Sequence, residues 1–68
     1  MIPILWKRYN SYCDTYELGN FLLKRKLMRG GMVYEIWMGR QLNYSSRDYS
    51  DFLRNAQPLL KLLLKQGV

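Results

Sequence analysis

The amino-acid sequence predicts an α+β domain, an antiparallel sheet of about four strands followed by one C-terminal helix. Two observations carry that expectation. Residues 1 to 44 are rich in aromatic and long apolar side chains in period-two alternation, whereas residues 46 to 66 change to a helical period. Gly30-Gly31 stands between two alternating runs and suits the positive φ angles of a hairpin turn. With 68 residues, no repeat and no composition break, residues 1–68 are expected to form one module.

Ile4 to Tyr12 alternates loosely and reads as a first strand, ended by the polar stretch Cys13-Asp14-Thr15; Tyr16-Glu17-Leu18-Gly19 then leads into the hairpin. A turn at Gly30-Gly31 pairs Arg29 with Met32, Leu27 with Tyr34, Arg25 with Ile36 and Leu23 with Met38. One face of the hairpin then carries Leu23, Leu27, Tyr34, Ile36 and Met38, the pattern of a core. The other carries Lys24, Lys26, Met28, Val33, Glu35 and Trp37 and reads as a wet working surface. Arg25 is the polar intruder on the core face and needs a partner there or must snorkel out. Gly39-Arg40 make the next turn, and Gln41 to Tyr44 form a short last strand with Leu42 and Tyr44 on one side.

Ser45-Ser46-Arg47-Asp48 offers capping hydroxyls and an early acid, so the helix is expected to begin near Ser46. Its main stripe is Tyr49, Phe52, Leu53, Ala56, Leu60, Leu63 and Leu64. Pro58 kinks the helix or starts a second segment. Leu59 and Leu62 point away from the stripe, and with Leu63 they mark a helix-mediated homodimer interface; the alternative is that they pack under the N-terminal strand.

The function classes narrow by chemistry. A single cysteine and no histidine leave neither a disulfide nor a thiolate or imidazole cluster, so no metal and no cofactor is expected. Five scattered acids supply no poised base or nucleophile, so an enzyme is not expected. No apolar run is long enough to span a membrane, and Lys7 and Arg8 follow the short apolar start rather than precede it, which argues for an intracellular protein. Eleven Lys and Arg against five Asp and Glu give a net charge of +6 and a pI near 9.8, which favours polyanionic partners.

Single-stranded DNA or RNA is bound by cations that follow phosphates and by rings on which bases stack. Lys24, Lys26 and Trp37 share the wet face, Arg29 and Arg40 lie at its two ends, and Lys7, Arg8 and Tyr9 extend it. The competing roles of these side chains are structural: Trp37 packing on the Lys24 stem, and Lys26 pairing with Glu35.

From Tyr16 onward the chain resembles the positive cofactor four family of transcriptional coactivators. Tyr16-Glu17-Leu18-Gly19-Asn20 resembles the opening of that family's first strand, and Val33-Tyr34-Glu35-Ile36-Trp37-Met38 its apolar-Asp-Ile-Arg-Tyr-Trp strand. Gly39 to Tyr44, followed by Ser45 to Leu53, is similar to its last strand running into a helix with an early aromatic. The resemblance implies a dimer with a curved sheet that binds single-stranded DNA on its concave face, with Lys24, Lys26, Trp37 and Arg40 near the nucleic acid. The same charge pattern leaves open a second role, that of a small, for example viral, inhibitor docking its basic face on an acidic protein partner.

Overall fold

A computed structural model describes residues 1–66. Five strands precede one helix: β1 (Lys7–Asn10), β2 (Cys13–Leu18), β3 (Phe21–Met28), β4 (Gly31–Met38), β5 (Gln41–Ser46) and α1 (Tyr49–Gln66). They form one antiparallel meander in the order β1-β2-β3-β4-β5. The α+β class therefore holds, with one strand more than the sequence suggests.

The extra strand comes from the segment Cys13-Asp14-Thr15, which is not a terminator but the first half of β2. Its polar side chains are admitted because Asp14 lies directly across from Arg25. The expected first strand is correspondingly shorter. Residues 1–6 leave the sheet through a tight turn in which Trp6 N–H donates to the Ile4 carbonyl at 3.0 Å. They run instead along the helix, where the Gln57 side-chain amide accepts from Ile2 N–H and donates to Ile2 O, each at 2.8 Å.

The central hairpin turns one position earlier than expected. Met28 pairs with Gly31, so Leu23 faces Ile36 and Arg25 faces Tyr34. Gly30 carries φ 99° while Arg29 keeps a negative φ, as a type II turn requires at its two central positions. This moves every pairing by two residues in sum, and because strand side chains alternate with period two, both faces keep their predicted members. A register shift after Ile36 does alter β5. Tyr44 faces Ile36 whereas Leu42 faces Trp37, so these two lie on opposite faces rather than together.

The helix starts later than Ser46. Asp48 caps it by accepting from Ser50 N–H at 3.0 Å, while Ser46 Oγ accepts from Asp48 N–H at 3.0 Å and shapes the approach. It continues through Pro58. The carbonyl of Arg54 that loses its donor lies among exposed residues, which lowers the penalty of the missing bond.

Phe52, Ala56 and Leu60 recur every fourth residue and meet Leu18, Leu23 and Ile36 of the sheet in a fully buried core. Ile2, Ile4 and Trp6 close one side of it, and Trp6 stacks on Phe52 with ring centroids 6.2 Å apart. Leu59 also packs against this core, which corrects its expected outward position; Leu63 packs there as its place in the stripe predicts, while Leu64 of that stripe is exposed. Of the three leucines assigned to a dimer interface only Leu62 is free, at 55% exposure.

Arg25, the misfit of the covered face, is answered twice. Its Nη2 and Nε donate to Asp14 Oδ2 at 2.6 and 3.1 Å, and its guanidinium lies 4.8 Å from the centre of the Trp6 ring. The pair keeps about a third of its side-chain surface in water, so it fixes register and holds the N-terminal arm more than it adds stability.

A second polar tie joins β5 to the helix. The Tyr44 hydroxyl donates to Asp51, which raises the tyrosine pKa above its ordinary value of 10.0 and lowers that of the aspartate below 3.8. Asp51, depressed when folded, contributes stability above its unfolded pKa and loses it as pH falls through the folded value. Tyr44, raised when folded, contributes below its unfolded pKa and loses it as pH rises through the folded value. The difference in melting temperature between the parent chain and Tyr44→Phe is therefore expected to be flat from about pH 5 to about pH 9 and to shrink toward both extremes. Thermal melts across pH check this.

Candidate nucleic-acid interface

The helix packs against β2, β4 and β5 on one side of the sheet, and no described element covers the other. Cross-strand pairs set the rows of that open face. Lys7, Thr15, Lys24, Glu35 and Ser45 form one row; Cys13, Lys26 and Val33 lie on one flank of it; Leu22, Trp37 and Leu42 lie on the other. Three of the predicted site residues, Lys24, Lys26 and Trp37, are thus brought together.

Their contacts are specific. Lys24 Nζ stands 4.9 Å from the centre of the Trp37 ring, Lys26 Nζ is 3.1 Å from Glu35 Oε1, and Trp37 Nε1 donates to the same oxygen at 2.9 Å. Both structural roles weighed for these side chains are therefore present, and the indole is only partly exposed. Burial works against the Glu35 carboxylate, but hydrogen bonds from Trp37 and Lys26 outweigh it and leave its pKa below the ordinary 4.5.

Trp37 does not line the groove found on this face. A groove of about 430 Å³ crosses β1, β2 and β3; Asn10, Cys13, Thr15 and Leu22 line it, Lys24 and Lys26 charge it, and Tyr9, Tyr12 and Met28 stand at one end. Glu17 belongs to its lining as well. Tyr9 is 74% exposed and Tyr12 67% exposed, which makes them the most accessible rings of the described residues. The sequence reading includes Tyr9 but misses Tyr12, taken there as the end of a strand. The available signal is the turn itself. Asn10 Oδ1 accepts from Tyr12 N–H at 2.8 Å, the local bond that asparagine makes two residues ahead, and it sets the two tyrosines astride a hairpin tip.

The other cations disperse. Arg29 occupies the β3–β4 turn beside Met28, and Arg40 occupies the β4–β5 turn at the opposite end of β4. Lys7 shares the open row, but Arg8 faces Asp14 and so belongs to the row of the covered side. With Lys7, Lys24 and Lys26 against Glu17 and Glu35, the open face carries only a small part of the net charge of +6. No three His, Cys, Asp or Glu side chains gather into a metal-binding group among the described residues, and no described helix is long and apolar enough to cross a membrane.

No family model, no curated protein and no solved structure matches the chain.

Proposed function

We propose that this chain is a non-catalytic binder of single-stranded nucleic acid, DNA before RNA, acting through the open face of its sheet in replication, recombination or transcription. The observation that carries the reading is the convergence of Tyr9, Tyr12, Lys24 and Lys26 on one groove. Exposed rings give bases a surface to stack on, and ammonium groups beside them meet the phosphates. A duplex keeps its bases stacked inside, so the rings favour single strands. The succession of antiparallel strands and a final helix adds the resemblance to the positive cofactor four family, whose sheet serves the same purpose, although five strands are present here.

A salt series tests the reading at the lysines. Lys24 forms no ion pair within 4.0 Å among the described residues, although its charge still acts on Glu35 across the strand, whereas Lys26 is paired with Glu35 at 3.1 Å. Lys24→Ala is expected to reduce the slope of log affinity against log salt by about 0.7, the share of one phosphate contact on a single strand, and Lys26→Ala by clearly less. Fluorescence anisotropy with a labelled oligothymidylate measures both. Equal slopes in the parent chain and Lys24→Ala remove Lys24 from the phosphate path.

One observation favours a second reading. Leu27 and Met28 are about half exposed beside Lys26 at the hairpin end of the groove, an apolar and basic combination that suits an acidic protein partner. Oligonucleotide binding no tighter for single strands than for duplex favours that partner.

A further inference from the structure

Glu35 is the acid enclosed at the centre of the open face, with 12% of its side chain exposed, and its two oxygens differ. Oε1 accepts from Trp37 Nε1 and from Lys26 Nζ. Oε2 accepts no hydrogen bond from any described residue, yet it is not sealed from water, since no buried and unpartnered side-chain oxygen is found among the described residues. A carboxylate loaded on one oxygen and open on the other, beside an indole, is a prepared acceptor.

The neighbouring ammonium is equally prepared to move. Lys24 has no ion-pair partner among the described residues and rests on the Trp37 ring. A phosphate is a stronger partner for it than the face of an indole, so an incoming strand draws the ammonium off and uncovers the ring. Lys24 also lines the groove, so the indole lies next to a side chain of the groove wall.

We infer that Trp37 and Glu35 form a base-reading subsite that selects guanine over thymine or uracil, the indole stacking the base while Glu35 Oε2 accepts from its N1–H and N2–H groups. The inference rests on the single-strand reading above. Guanine presents two adjacent donors to one oxygen. Thymine and uracil present a single N3–H flanked by two carbonyl oxygens, which a carboxylate repels. Adenine and cytosine offer an amino donor beside a ring-nitrogen acceptor and fall between.

The test compares three labelled octamers in anisotropy titrations: all thymine, thymine with one central guanine, and thymine with one central inosine, which lacks the N2 amino group. The parent chain is expected to bind the guanine octamer about tenfold more tightly than the thymine octamer, with inosine between, as one base-edge contact allows. In Glu35→Gln the amide oxygen takes over the indole N–H and the amino group replaces the open oxygen, so the subsite changes from acceptor to donor. The guanine preference is expected to vanish in that variant while the thymine octamer still binds. Thymine and guanine octamers that bind the parent chain equally overturn the inference alone, as does a preference that survives Glu35→Gln. Failure of every octamer to bind at low salt overturns the single-strand reading and this inference with it.

Discussion

Phe52→Ala is expected to cost about 3–5 kcal/mol, the largest effect of any single truncation in the chain. Phe52 is fully buried and contacts three rings: Trp6, Tyr34 and Tyr49 lie with centroids 6.2, 5.3 and 6.2 Å from its own. Removing it opens a cavity at the point where arm, sheet and helix meet. A domain of this length has roughly 3–10 kcal/mol in total, so most of the margin is lost. Urea denaturation followed by circular dichroism reads the change as a lower midpoint or as a chain without a cooperative transition. A loss below about 1 kcal/mol contradicts the core described above.

Tyr9→Ala combined with Tyr12→Ala is expected to leave the fold intact and to weaken single-strand binding by about a hundredfold, taking stacking at the lower part of its usual range for each ring. Both side chains are largely in water, so their removal leaves little cavity. Trp37→Ala is expected to cost less affinity. Its indole is engaged by Lys24 and Glu35 and does not line the groove. Anisotropy titrations of the three chains, with thermal melts as the control on folding, rank these effects. A larger loss from Trp37→Ala than from the tyrosine pair places the main stacking platform on β4.

The sequence makes the class of the fold and the membership of the two hairpin faces legible, and the reason is the period of a strand. A turn one position earlier displaced every predicted pair across β3 and β4, yet Leu23 and Ile36 stayed in the core and Lys24, Lys26 and Trp37 stayed together outside. What the sequence hides is polar matter made acceptable by a distant partner. Asp14 and Arg25 each look foreign to a covered strand face, and only their pairing across β2 and β3 makes both admissible. That is why Cys13-Asp14-Thr15 reads as the end of one strand rather than the start of the next. The helix shows the same limit. Leu59 and Leu62 look alike in a helical wheel, but Leu59 packs against the core and Leu62 stays in water.

The site follows that division. The cluster of Lys24, Lys26 and Trp37 follows from alternation, but the groove depends on the hairpin tip that carries Tyr9 and Tyr12, a product of the Asn10 turn and of β1 being short. Arg8 illustrates the cost of reading charge runs without register, since one residue decides whether a cation serves the open face or the covered one. Net charge likewise overstates the face, because Glu35 cancels Lys26 in place.

Competition on a pre-formed complex tests the central claim most directly. With the chain bound to a labelled thymine oligonucleotide at low salt, unlabelled single-stranded and duplex DNA of equal length are titrated in as competitors. The open-face reading predicts that single strands displace the label at concentrations at least tenfold lower than duplex, and that this advantage disappears when Tyr9 and Tyr12 are alanine. Equal displacement by duplex, or an advantage that survives loss of both rings, contradicts it.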